Sequence, residues 1–186
     1  MKIDENLHWI LSFYRTSEIS GALFFGELAR SLRPSAIQQD MTRHFADEAN
    51  HARIWTDCME ELGVQPLKLP TAYQNQYLAA AGMPANIMEI LAITQVFEKR
   101  VVAQYSLHRE SPDVPDVVAR TIETIMDDEK WHIQWIRDAL RDMEDEYGAD
   151  NIKDTLRRFT LADREVYQKT AEEHAERIGE LRLATK

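Results

Sequence analysis

Apolar residues return along this chain at helical spacing, in long blocks parted by turn residues. Between Asn6 and Leu32, Leu7, Ile10, Leu11, Tyr14, Phe25 and Leu28 recur every three or four positions, the period at which one helix face meets a core. From Ser35 to Leu62 the stripe runs through Ile37, Met41, His44, Phe45, Glu48, His51, Trp55, Cys58 and Leu62. From Ala85 to Glu110 it holds Ile87, Ile90, Leu91, Thr94, Glu98, Val101, Val102 and Tyr105. From Asp116 to Tyr147 it holds Ile122, Ile125, Met126, Glu129, His132, Trp135, Ile136, Ala139 and Leu140. A further helix is expected from Asp150 to about Leu183, with an interruption near Thr160 and a largely charged second half.

Pro34, Gly63, the Ser111–Pro115 stretch and Gly148 mark the helix ends. Only Val64–Pro84, with Pro66, Pro70 and Gly82, reads as a long irregular link. Some 20 extended residues reach ~65 Å, and a helix of ~28 residues is ~42 Å long. The link can therefore run back along a whole helix and start the third helix parallel to the second. The pattern predicts one all-α domain over residues 1–186. Its core is a four-helix bundle over 6–147, with a long crossover between helices 2 and 3. An additional C-terminal helix over 150–183 packs on that bundle or on a second copy of the chain in a homodimer.

Six members of these apolar stripes do not belong there on hydropathy. Glu18, Glu48, His51, Glu98, Glu129 and His132 all fall on faces that should be buried, where an unpaired carboxylate is costly. Glu48-Ala-Asn-His51 and Glu129-Lys-Trp-His132 each put a carboxylate and an imidazole one helical turn apart. With this Glu and His content the Glu-x-x-His spacing is expected about 0.6 times by chance. It occurs three times, and the third instance, Glu5 to His8, has no partner at its height.

Distances from the turns carry more weight than the motif. Glu18 and Glu48 flank the turn near 33 at equal distance, and Glu98 and Glu129 flank the turn near 113 almost equally. In an antiparallel hairpin, equal distance means equal height. Each hairpin thus levels a lone Glu with a Glu-x-x-His pair, and the two hairpins bring four carboxylates and two imidazoles to the middle of the bundle. That donor set suits iron or manganese. Four negative charges balance two divalent ions: two Fe ions, with Mn or mixed Fe/Mn as alternatives. Structural zinc sites favour thiolates and fewer ligands. Asp47 and Asp128 each precede a motif Glu and can accept the outer ring N–H of a histidine, either on their own helix or on the related one.

Charge and cysteine content narrow the partners. The formal net charge of −10 and the lack of a basic stretch argue against nucleic acid. One cysteine excludes a disulfide framework or a cysteine-only metal centre within the chain. Met1–Glu5 does not read as a signal peptide, and no apolar run approaches the ~20 residues of a membrane span. A cytoplasmic protein away from the membrane is the expectation.

Glu18, Glu48-Ala-Asn-His51, Glu98 and Glu129-Lys-Trp-His132 resemble the ligand pattern of the ferritin-like di-iron carboxylate superfamily. That superfamily includes bacterioferritin, rubrerythrin, the aldehyde-deformylating oxygenase and tRNA-hydroxylating members. The resemblance covers roughly residues 6–147. It implies that Glu48 and Glu129 lie near both metals, that Glu18 and Glu98 are more terminal, and that His51 and His132 serve one metal each. Rubrerythrin-like peroxidases carry a Glu three positions before the third-helix ligand, where this chain has Gln95, and often a four-cysteine domain that one cysteine forbids. Bacterioferritin is shorter, and the extra helix and long 64–84 link fit the enzyme members better.

The function expected is a dioxygen-activating oxidoreductase, an oxygenase or oxidase. It would act on a small-molecule substrate near Glu18 and Glu98, with room made by Gly21 and Ala22 and electrons from an external donor protein. Tyr14 and Tyr105, at helical offsets from Glu18 and Glu98, read first as core tyrosines and second as electron carriers. The alternative is a bacterioferritin-type ferroxidase for which iron is the substrate. A scaffold without redox chemistry stands third.

Overall fold

The computed structural model describes residues 3–69, 77, 79–111 and 113–173. All regular structure among them is helical: α1 (Glu5–Ser31), α2 (Ala36–Glu61), α3 (Ile87–Arg109), α4 (Asp116–Asp142), the short α5 (Glu144–Tyr147) and α6 (Ala149–Glu173). Their starts are written in side chains. Asp4 caps α1, Ser35 Oγ accepts the Gln38 N–H at 3.1 Å, and Asn86 Oδ1 accepts the Glu89 N–H at 2.9 Å. Glu89 also reaches back to the Ala85 N–H at 2.8 Å, one residue before the cap. At the far end of α2, Gly63 adopts φ 74°, a left-handed conformation that costs glycine nothing and ends the helix. Gly148, at φ 82°, does the same between α5 and α6.

Two hydrophobic clusters fill the bundle, and each of α1 to α4 contributes to both. One holds Phe25, Met41, Leu91, Ile93, Trp135, Ile136 and Phe159. The other holds Leu11, Tyr14, Trp55, Met59, Tyr105, Ile122 and Ile125. Residue order within each helix gives its direction. α2 and α3 run from the first cluster to the second, and α1 and α4 run from the second to the first. Neighbours α1/α2 and α3/α4 are therefore antiparallel, whereas α2 and α3 point the same way. The link between α2 and α3 must return along the bundle: Val64 and Leu69 pack on the second cluster, Tyr77 and Ala81 on the first.

Several boundaries differ from the periodicity. The long irregular link contains a helical piece at Tyr77 and Ala79–Ala81, and the Tyr77 hydroxyl donates to the Phe159 carbonyl at 2.6 Å. The fourth helix is not continuous to Tyr147; it breaks at Met143, the C-cap of α4. α6 runs through Thr160 without interruption, with the Thr160 hydroxyl bonded back to the Leu156 carbonyl at 2.7 Å. Phe45 leaves the buried face and lies half exposed over Gly26. The expected Pro70, Pro112 and the helical stretch over 174–183 lie outside the described residues.

α6 packs on the bundle, along α3. Ile152, Thr155, Phe159, Asp163 and Val166 give it a buried stripe. Asp163, 2% exposed, takes the Arg100 guanidinium of α3, with Arg100 Nε 3.0 Å from Oδ2. Arg100 also stacks 4.2 Å over the Tyr167 ring. The helix thus docks through an apolar stripe reinforced by a buried ion pair.

Candidate metal centre

On every bundle helix the buried carboxylates and the histidines near them sit between the two apolar clusters. Glu18 lies between Tyr14 and Phe25; His44, Glu48 and His51 between Met41 and Trp55; Glu98 between Val96 and Tyr105; Glu129 and His132 between Ile125 and Trp135. All seven are buried: Glu18 and Glu98 at 4% exposure, Glu48 at 6%, Glu129 at 1%, the three histidines at 0%. Matched heights in the two hairpins put them in one layer.

Two groups form within that layer. One atom each from Glu18, Glu48, His51 and Glu129 lie within 4.8 Å of one another, and so do one each from His44, Glu48, Glu98 and His132. Glu48 belongs to both groups. Glu129 also faces both sides, with Oε1 3.3 Å from His51 Nδ1 and Oε2 3.3 Å from His132 Nδ1. Glu18 approaches His51 Nδ1 alone at 3.7 Å, while Glu98 approaches His44 and His132. All six residues singled out by spacing are brought together.

Both imidazoles of the repeated motif are held from behind by the opposite hairpin's aspartate. His51 Nε2 lies 3.1 Å from Asp128 Oδ2, and His132 Nε2 lies 3.3 Å from Asp47 Oδ2. Of the two arrangements open to Asp47 and Asp128, the structure uses the crossed one. An acceptor at Nε2 draws the ring proton there and leaves the Nδ1 lone pair turned into the site.

The site fits cations on its own chemistry. His51 Nδ1 and Glu129 Oε1 are buried and have no hydrogen-bonding partner of proper alignment, although carboxylates and imidazoles stand beside them. Such orphaned polar atoms are expensive unless something else engages them. Protons do so in part. Burial lowers the His51 pKa, but the Glu129 and Glu18 carboxylates beside its Nδ1 more than reverse this and push it up to about 11. Burial, then the charge of Glu18, raises Glu48 to about 8. Divalent ions would do the same work, because four carboxylates and imidazole nitrogens are their usual donors.

Sequence reasoning missed His44 as a member of the site, although it lies on the α2 stripe. Its signal was there: four positions before Glu48, on the same face. Tyr105, read from its helical offset first as a core tyrosine, is buried and also touches the site. The Trp55 indole donates to the Tyr105 hydroxyl at 2.9 Å, and that hydroxyl donates to Glu18 Oε1. Tyr14 lies edge-on to Tyr105 at 4.9 Å, and its own hydroxyl has no hydrogen-bond partner.

A cavity of about 140 Å³ adjoins the layer between α1 and α3. Phe13, Phe24, Phe25, Ile93, Phe97 and Val101 give it apolar walls, and Glu18, Glu48 and Glu98 also line it. Gly21 lines it too, and its missing side chain is what admits Glu48: a Cβ there would stand 2.2 Å from Glu48 Oε2.

The class defined so far is a helical protein with paired, buried carboxylate–histidine groups able to hold metal ions. Comparison with protein-family models, with curated proteins and with solved structures finds no match to this chain. Among the described residues, no helix is long and apolar enough to cross a membrane.

Proposed function

We propose that this protein is a dinuclear-metal oxidoreductase of the ferritin-like kind that activates dioxygen and oxidises an apolar small molecule. The observation that carries this reading is the pair of four-residue groups sharing Glu48, set against an apolar cavity. Glu18, Glu48, His51 and Glu129 would hold one ion, and Glu48, Glu98, Glu129 and His132 the other. Hard carboxylate and borderline imidazole donors favour iron, with manganese next. The chemistry such a pair supplies when bound is reductive activation of dioxygen.

The remaining work falls to the chain's own side chains. Asp128 and Asp47 fix the tautomers of His51 and His132. The Tyr105 hydroxyl holds Glu18 at the wall shared with the cavity. Phe13, Phe24, Phe25 and Phe97 exclude water and favour an apolar substrate. The cavity is close in size to the ~150 Å³ apolar void that accommodates benzene in an engineered protein core. It therefore suits a small ring or a short length of alkyl chain.

Anaerobic titration with ferrous iron, followed by air, tests the reading. Two ions bound per chain and dioxygen consumption with a change in near-ultraviolet absorbance support it. Less than about one ion per chain, with no dioxygen-dependent change, leaves only a scaffold. Gel filtration separates it from iron storage, which requires a cage of roughly two dozen subunits.

A further inference from the structure

Three imidazoles reach the carboxylate layer, and what stands behind each ring differs. Behind His51 and His132 stands an aspartate, an acceptor. Behind His44 stands Trp135, whose indole N–H lies 3.3 Å from His44 Nδ1. An indole nitrogen can only donate. Its partner must offer a lone pair, so Nδ1 of His44 carries no proton, and the proton of the neutral ring sits on Nε2.

That nitrogen faces the site. His44 Nε2 lies 3.2 Å from Glu98 Oε1 and 3.3 Å from Glu48 Oε1. Neither contact is aligned as a simple hydrogen bond, as suits one N–H shared between two oxygens. The ring has little freedom to present its other edge. It is stacked between Phe25, at 3.9 Å and 27°, and His132, at 3.7 Å and 22°. A nitrogen that keeps its proton cannot ligate a metal.

We propose that His44 is a positioning residue rather than a ligand. Its Nε2–H, held in that tautomer by Trp135, turns Glu98 and Glu48 toward the ion they share with His132. The inference rests on the dinuclear reading and sharpens it: seven buried candidates divide into six ligands and one donor. The rule that divides them is physical. A histidine backed by an acceptor ligates through its front nitrogen, and one backed by a donor does not.

Side-chain 15N spectra of the whole protein loaded with zinc, a diamagnetic probe ion, read this directly. His44 is expected to show a protonated Nε2 and a bare, metal-free Nδ1, while His51 and His132 show metal-shifted Nδ1. A metal-shifted Nε2 on His44 overturns the proposal. Trp135→Phe removes the indole N–H, and His44 should then populate both tautomers; an unchanged His44 spectrum overturns the role given to Trp135.

Stoichiometry gives an independent measure. His44→Gln keeps an N–H donor and should still bind two zinc ions, whereas His132→Gln should bind one. His44→Ala should keep both but weaken one by about 10- to 100-fold, the usual effect of losing an outer partner. Loss of one whole ion in His44→Gln, matching His132→Gln, overturns the proposal. If the wild-type chain binds no metal at all, the dinuclear reading fails on that result alone. The His44 tautomer in the metal-free protein then decides the donor role separately: Nε2–H upholds His44 as donor to Glu98 and Glu48, and Nδ1–H or a doubly protonated ring overturns it.

Discussion

Asp128 stands 3.1 Å behind His51 on another helix, not beside the His132 that follows it by four positions on its own. Asp47 mirrors it behind His132. Each motif is therefore oriented by the other hairpin, and the two halves of the bundle depend on one another for their tautomers. Asp128→Ala should weaken the ion held with His51 by about 10- to 100-fold. Asp128→Asn keeps an accepting oxygen and should cost much less. Manganese titration of the two variants checks this; equal loss in both would mean that charge, not the hydrogen bond, matters behind His51.

Glu129 and Glu123 lie on the same helix and answer differently to removal. Glu129 is 1% exposed and faces both His51 and His132. Glu123 is exposed and pairs with Arg109 at the surface, an ion pair worth at most about 1 kcal/mol. Glu129→Ala should release both ions, leaving less than about half of one per chain. Glu123→Ala should retain two. Equal retention in elemental analysis would remove Glu129 from the site.

The site was legible because it violates the pattern around it. Six ionisable residues on apolar stripes, level across two turns, needed only helix geometry and the cost of burial to be picked out. The parallel course of α2 and α3 followed from the reach of the 64–84 link. What stayed hidden were contacts that spacing does not encode. His44 looked like one more stripe residue, since its role depends on Trp135, 91 positions away. The crossed use of Asp47 and Asp128 depends on how two hairpins face each other. The docking of α6 combines an apolar stripe with the Arg100–Asp163 and Arg158–Glu89 pairs, and no periodicity displays those pairs.

Gly21 is a test of packing against the site. Alanine is the better helix former by about 0.5–1 kcal/mol, so on propensity alone Gly21→Ala would stabilise α1. Its Cβ, however, would meet Glu48 Oε2 at 2.2 Å. The carboxylate end must swing away, and Glu48 serves both groups. The expected variant is folded, with an unchanged helical circular-dichroism spectrum, but binds both ions at least about tenfold more weakly. Unaltered metal affinity would show that Glu48 has another productive rotamer.

Protons and cations compete for the same atoms, which gives the metal-free protein a pH dependence of definite sign. His51 rises from 6.5 to about 11 on folding, through Glu129 and Glu18 acting against burial. Glu48 rises from 4.5 to about 8, through burial and the charge of Glu18. Both groups hold protons more tightly folded than unfolded. Their stabilisation is complete below the unfolded value and drains away as pH climbs toward the folded one. The windows are 4.5 to 8 for Glu48 and 6.5 to 11 for His51, so both act between 6.5 and 8. Burial lowers His108 to about 4, which acts only below 6.5. Each extra proton held by the folded chain costs about 1.4 kcal/mol per pH unit, roughly 3 to 5 °C in Tm at this length. The Tm of metal-free protein should therefore fall from pH 6.5 to 8. Saturating manganese displaces those protons and binds more tightly as they leave, so the loaded protein should not follow. Scanning calorimetry at both pH values should show the gap between loaded and metal-free protein widening. A gap that stays constant would mean that the ions and the protons do not share His51 and Glu48.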